Sequence, residues 1–260
     1  MKGMTIKVKT KRIEQIEQYV TTNQTVSLDK LCEVFHISKN TLRRDINDLV
    51  KTGSVKKVYG GVTAVKRTLV PFEERNIKNQ EGKHAIGRKA AENVQDGDVI
   101  FIDSGTTTPN MVPFLKGKNI TILTQNLSVL LNAFPYTELK VFLLGGKLIR
   151  STNSFSMIHV DMLNCYNINK AFLATTGLSI DNGVTNSSPQ EYEIKKKVVE
   201  KSGKTYLLAD YSKFGVSSLM TYCRLDDVSC LITNRMPPEK YQAFLANHSI
   251  ELQIADSFEK

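Results

Sequence analysis

The chain has 260 residues, enough for a small domain beside a larger one, and its hydrophobic fraction of 41% excludes a disordered protein. No apolar run reaches the roughly 18 to 20 residues of a membrane-spanning helix, and the charged first dozen residues lead into no long apolar stretch, so no signal peptide is expected and a cytoplasmic protein is the simplest reading. The net charge of +9 is lopsided: residues 1–67 hold 14 Lys and Arg against 6 Asp and Glu, whereas the remainder carries 21 basic and 20 acidic groups, so the first quarter alone is built to attract phosphates.

In chain order, Ile13, Ile16 and Val20 recur at helical spacing and predict a first amphipathic helix over about 9–22. Ser27 is placed to cap a second helix ending near Phe35, with Leu28, Leu31, Val34 and Phe35 inward. His36 and Ile37 form a tight turn, and Ser38 caps a third helix whose Leu42, Ile46 and Leu49 share one buried face; Gly53 is its expected C′ residue. The opposite face presents Lys39, Asn40, Arg43, Arg44 and Asn47, with Thr41 at its edge. Beyond Gly53 a short basic β-ribbon carries Lys56, Lys57 and Tyr59 into a turn at Gly60 and Gly61.

A helix sized for the major groove beside a cationic ribbon is the layout of a winged helix-turn-helix. Its N-terminal turns meet base edges, which makes Lys39 to Arg44 the candidate readers. Arginine suits guanine, Asn40 suits adenine or a phosphate, and Ser38 or Thr41 suits a phosphate. Lys56, Lys57 and Tyr59 in the wing are placed for phosphates or the minor groove. The plainer alternative pairs Arg43 and Arg44 with Asp45 and Asp48 on an ordinary surface helix.

The pattern Ser38, Thr41, Arg43-Arg44-Asp45-Ile46, Leu49, Gly53, Val55, Lys57 and Tyr59-Gly60-Gly61-Val62 resembles the DNA-binding module of DeoR-type bacterial regulators. The resemblance covers the first 64 residues closely. It implies a winged helix-turn-helix domain over 9–64 and double-stranded operator DNA as a partner. Residues 65–82, with Val70 and Pro71 breaking any helix, are expected to connect it to a larger domain over 83–256.

That larger part alternates β-rich runs at 98–103, 120–124, 139–144, 170–175, 205–210, 228–233 and 250–254 with helical stretches around 83–94, 111–115, 126–134, 191–202 and 239–247. Such alternation predicts an α/β domain with a largely parallel open sheet covered on both faces. Small and polar residues gather after the strands: Asp103, Ser104, Gly105, Thr106 and Thr107; Thr124 and Asn126; Gly145 and Gly146; Thr176 and Gly177; Asp210 and Lys213. Ligands of open sheets sit outside the carboxyl ends of the strands, so these segments converge on one crevice. Residues 104–108, running from a strand into a helix, offer N–H groups and hydroxyls to a phosphate, and Lys213 adds a charge; plain helix capping is the alternative use of the same residues.

This half also resembles the DeoR sensor domain, similar in fold to ribose-5-phosphate isomerases and CoA transferases. The matching residues are Asp103 to Thr107, Thr124 and Asn126, Gly145-Gly146, Thr176-Gly177, Gly183 to Thr185, Glu191, Asp210 and Ser212-Lys213. One departure is Gln125-Asn126, where the family usually has Thr-Asn directly. The resemblance implies a crevice for a phosphorylated sugar or polyol, with Glu191 among its residues, and a homo-oligomer. Segments 70–73, 166–172 and 191–196 look more narrowly like the myo-inositol catabolism repressors of the family.

Cys32, Cys165, Cys223 and Cys230 show no paired spacing, and no histidine stands at zinc-ligand distance from them in sequence, so free thiols in a reducing compartment are expected, with no metal and no cofactor. The reading favoured is a sugar-phosphate-responsive repressor. Its alternatives are a sugar-phosphate isomerase or transferase carrying a DNA-binding module, for which Asp103, Glu191, Asp210 and Lys213 supply groups capable of proton transfer, and an RNA binder, which the lack of a paired-aromatic sheet disfavours. A second methionine at position 4 leaves the start open between Met1 and Met4.

Overall fold

The computed structural model describes residues 12–255 apart from 14, 18, 21, 22, 24, 52–54, 65–71 and 158. Its contacts divide the chain into one unit over Met1–Thr68 and another over Leu69–Lys260.

In the first unit the described residues of 12–23 are helical, with Ile16 and Val20 fully buried. β1 (Thr25–Ser27) then leads into α1 (Leu28–Phe35), where the Ser27 hydroxyl accepts from the Lys30 N–H at 3.2 Å and acts as the expected cap. His36 closes α1 in the left-handed region at φ 50°, its N–H returned to the Cys32 carbonyl. α2 (Lys39–Lys51) follows within two residues, which sets the tight crossing of a helix-turn-helix. β2 (Val55–Val58) and β3 (Gly61–Ala64) form the ribbon, and β1 adds to it on the far side of β3. That third strand is not predicted from sequence, because Thr25–Ser27 is too short to show alternation. Ile16, Val20, Val26, Leu31, Leu42, Ile46, Leu49, Val55 and Val62 make one core. Gly53, Val70 and Pro71 lie outside the described residues.

The second unit opens with α3 (Phe72–Ile77) and α4 (Gln80–Ala91), joined through Asn79 in the left-handed region. Seven strands then build a wholly parallel sheet. In chain order they are β4 (Val99–Ile102), β5 (Thr121–Thr124), β6 (Lys140–Leu143), β9 (Lys170–Ala174), β12 (Lys204–Leu208), β14 (Cys230–Thr233) and β15 (Glu251–Ile254). Their order is β15-β14-β12-β9-β4-β5-β6, so the winding reverses between β4 and β9. One face is covered by α4, a 3₁₀ helix over Thr108–Leu115 and α5 (Leu127–Ala133) around Ile86, Ile100, Met111 and Ile122. The other is covered by α6 (Pro189–Lys201) and α7 (Glu239–Asn247) around Phe101, Leu173, Ile194 and Leu231.

Each of the seven runs read as a strand is found within a residue or two of its expected ends. Two pieces have no counterpart in the sequence reading. A small antiparallel sheet joins β10 (Gly177–Ser179), β11 (Gly183–Asn186) and β13 (Met220–Cys223), and a two-stranded ribbon joins β7 (Leu148–Ile149) to β8 (Ser154–Phe155).

Candidate nucleic-acid interface and ligand crevice

With Leu42, Ile46 and Leu49 turned inward, Lys39, Asn40, Arg43, Arg44 and Asn47 are all exposed along the other side of α2. The Ser38 hydroxyl accepts from the Thr41 N–H at 3.3 Å and meets the Thr41 hydroxyl at 3.1 Å, so this pair is engaged in capping the helix. Lys39 reaches Asp29 at 2.6 Å, but both side chains are mostly exposed and such a surface pair holds weakly. Asp45 does not pair with Arg43 or Arg44, as the surface-helix alternative requires. It points inward, only 1% exposed, to Arg12. In the wing Lys56, Lys57 and Tyr59 are exposed. Gly60 turns the ribbon at φ +73°, and a Cβ on Gly61 would stand 2.4 Å from the Val26 carbonyl oxygen, so β1 and β3 meet only over a glycine.

In the second unit the residues after β4 and β9 meet where the strand order reverses, the position at which open sheets leave a crevice. Asp103 is fully buried there. Its Oδ2 accepts from the Ala174 N–H at 3.0 Å and is ion-paired with Lys195, whose ammonium also donates to the Ala174 carbonyl at 2.7 Å. The loop at 104–108 is pinned by its carbonyls: Asn126 donates to Asp103 at 2.9 Å and Gly105 at 3.1 Å, and Thr108 donates to Asp103 at 2.7 Å. Among the described residues the N–H groups of Gly105, Thr106 and Thr107 meet no acceptor within the chain. A Cβ on Gly105 would fall 2.2 Å from that of Ala174, so the loop lies flush on the end of β9.

A polar relay crosses the crevice. Gln125 donates from Nε2 to the Ser104 hydroxyl at 3.3 Å, and Ser104 donates to Glu191 Oε1 at 2.7 Å. Because that serine proton goes to a carboxylate, the carboxamide can only donate to Ser104, which leaves the buried Gln125 Oε1 without a partner. Thr124 donates to the Ile102 carbonyl at 2.6 Å and accepts from the Asn126 N–H at 3.0 Å, so Thr124 and Asn126 hold the loop in shape. Thr176 approaches Ser187 at 3.5 Å, while Gly177 enters β10 directly beneath the Val216 carbonyl.

Asp210 caps the short turn that carries Lys213, accepting from the Ser212 N–H at 3.0 Å. Lys213 comes within electrostatic reach of Lys83, a residue on α4 that the sequence reading passes over. Burial pushes the Lys83 ammonium down to about 8, with Asp210 opposing the shift and Lys213 and Arg75 adding to it. Its Nζ donates to the Arg75 carbonyl. Burial lowers Arg75 too, against the pull of Glu191 and Asp103, which ties this cationic group to the loop at Ser104. Lys83, Arg75, Gln125 and Lys195 are thus the site residues missed from sequence. Lys83 and Lys195 did carry a signal, since each stands on the apolar stripe of an amphipathic helix, beside Ile86 and Ile194.

All four cysteines are free, and burial pushes the Cys230 thiol up to about 12. No cluster of metal-ligating side chains occurs among the described residues, and no described helix is long and apolar enough to cross a membrane.

Comparison with known proteins places these two units. Residues 12–68 match the DeoR-like helix-turn-helix domain, and residues 78–235 match the DeoR C terminal sensor domain. The chain is 45% identical to the HTH-type transcriptional regulator IolR of Bacillus subtilis, over 95% of this chain and all of the relative. It is 28% identical to the glycerol-3-phosphate regulon repressor of Escherichia coli over 94% of this chain and 98% of that one, and 25% identical to the transcriptional repressor GlcR of Bacillus subtilis over 95% and 97%. Among solved structures, a D-ribose-5-phosphate isomerase aligns with 52% of this chain and 54% of its own at 15% identity and a TM-score of 0.39, too loose to support any inference. A match to both domain models and a full-length relative at 45% identity mean that the chain belongs to the DeoR family of helix-turn-helix transcriptional regulators.

Proposed function

We propose that the chain represses an operon for the breakdown of a carbohydrate or polyol, and that a phosphorylated intermediate of that breakdown releases it from its operator. The DNA-reading residues are Lys39, Asn40, Arg43 and Arg44 on α2, with Lys56, Lys57 and Tyr59 in the wing. The observation that carries the sensor half is Lys83: a buried ammonium, pushed down to about 8, held beside Lys213 and Arg75 next to a loop with free N–H groups. Burying a cation away from water is costly unless an anion joins it, and a phosphate would meet both the cations and the N–H groups of residues 105–107.

The other side of the crevice offers acceptors, Glu191 and Gln125 Oε1, which suit the hydroxyls of a sugar or polyol. The likeness of segments 70–73, 166–172 and 191–196 to the myo-inositol repressors, together with the identity to IolR, favours an intermediate of inositol breakdown. Release requires that the effector bind the DNA-incompetent state more tightly. Operator-shift titrations with phosphorylated inositol and pentose intermediates test this, and indifference to every one of them sinks the sensor reading.

The enzyme alternative needs chemically available groups. Asp103 and Lys195 are instead locked to each other, and Asp210 accepts two bonds from Ser212. Incubation with aldose and ketose phosphates decides the matter, since turnover would overturn the regulator-only reading.

A further inference from the structure

The seven-stranded sheet ends on two unlike edges. At one end β15 carries Glu251 and Gln253, which bond each other at 2.7 Å while Gln253 also exchanges bonds with Asn93 at 2.9 and 3.0 Å. Polar dressing of this kind discourages a further strand. At the other end β6 has one charge, Lys140, at its first residue, followed by Val141, Phe142 and Leu143. Lys140 donates to the Ile120 carbonyl at 3.1 Å and Leu144 to that of Thr124 at 2.7 Å, so the even-numbered residues bond β5. The N–H and C=O groups of Val141 and Leu143 therefore point outward, and among the described residues no strand takes them.

The surroundings of this edge are apolar. Phe142 is 50% exposed and Leu143 37%, and on α5, which lies beside β6, Leu131 is 61% exposed and Phe134 85%. At roughly 200 Å² for a phenylalanine and slightly less for a leucine, these side chains leave on the order of 500 Å² of apolar surface open. That is well over half of the ~800 Å² per partner of a stable interface before backbone and polar neighbours are counted.

We propose that two copies of the chain join along this edge, β6 pairing antiparallel with β6 of the second copy about a two-fold axis at Phe142. The inference rests on the helix-turn-helix reading for its symmetry, because such regulators read two half-sites related by a two-fold axis. A two-fold interface must be self-complementary, and an open strand meets that condition by pairing with itself in the antiparallel sense. In this register Val141 exchanges both backbone bonds with Leu143 of the second copy, and the reverse pair repeats them. Phe142 faces its own counterpart at a non-hydrogen-bonded position, where Cα atoms approach to about 4.5 Å. The two Lys140 side chains are kept apart by four residues, about 14 Å along the strand.

Sedimentation velocity on the full chain at micromolar concentration tests the proposal. The wild type runs as a dimer, Phe142→Lys sets two cations against each other, and the dissociation constant rises about a hundredfold. Met162→Lys, at a residue 53% exposed elsewhere on the surface, leaves the dimer unchanged. Phe134→Lys provides a second arm on α5 if melting curves show that Phe142→Lys folds poorly. In a Cys165→Ser background, Phe142→Cys closes a disulfide between copies under mild oxidation, since a Cα separation of about 4.5 Å lies within disulfide range. A monomeric wild type, or a dimer that survives both lysine substitutions, overturns the proposal. So does a Phe142→Cys dimer that fails to cross-link.

Discussion

Arg12 holds Asp45 with both arms of its guanidinium, Nε to Oδ2 at 2.8 Å and Nη2 to Oδ1 at 3.2 Å, across the core of the reading head. Asp45 is almost wholly buried, directly after the exposed Arg43 and Arg44, so the pair fixes the rotation of α2 from behind. Arg12→Met leaves the Asp45 charge buried and unpaired, and the domain is expected to lose about 3 kcal/mol, read as a lower denaturation midpoint. Adding Asp45→Leu should restore most of that loss, because apolar replacement of a buried ion pair is often neutral. Salt titration of operator binding by the double variant keeps the wild-type slope, since the Arg12 charge is occupied by Asp45. A slope lowered by about 0.9 would mean that Arg12 touches a phosphate.

Arg43→Ala should weaken operator binding by about 1–3 kcal/mol, a factor of about 5 to 150, with selectivity relaxed at one base pair. Effector affinity, measured by calorimetry on the same protein, stays at its wild-type value. Joint loss of both activities would indicate a folding defect in place of a lost contact.

Lys83 gives the crevice a pH dependence with a definite sign. Its folded value of about 8 lies below the ordinary 10.5, so the folded chain sheds this proton first. The destabilising contribution of Lys83 is full below about 8 and is relieved as pH rises from there toward 10.5. A phosphate ligand needs the charged form, so its affinity falls as pH rises through about 8. The phosphate itself is already doubly ionised there, its second pKa being about 6. Calorimetry at pH 8 in buffers of different ionisation enthalpy should show proton uptake on binding, and Lys83→Met should abolish that uptake.

Gly105→Ala drives a methyl into Ala174 and lifts the loop at 104–108 from β9. The variant should bind its operator like the wild type yet no longer release it with any phosphorylated intermediate. A reporter fused to the operator reads this as permanent repression.

Much of this molecule is legible along the chain because its signals are local. Leu42, Ile46 and Leu49 show the face of α2, and the apolar runs show all seven strands of the sheet. What stays hidden depends on partners distant in sequence. Asp45 looks like a surface anion until Arg12 is found behind it, and the place of Lys195 on an apolar stripe has no reason until Asp103 is found against it. β10 and β11 are the short arms of a hairpin, and β13 joins β11 from far along the chain with a register shift between Val184 and Thr185, so no alternation betrays them. Gln125 reads as a departure from a family pattern. Only the path of the Ser104 proton shows that its amide oxygen faces nothing.

The neighbours β4 and β9, between which the crevice opens, come from distant parts of the chain, whereas the reading head has its own core near the start. During synthesis the helix-turn-helix unit therefore completes its core before the sensor domain can close its sheet. On the proposed function, a nascent or clipped chain ending before Lys170 would occupy its target and be deaf to induction.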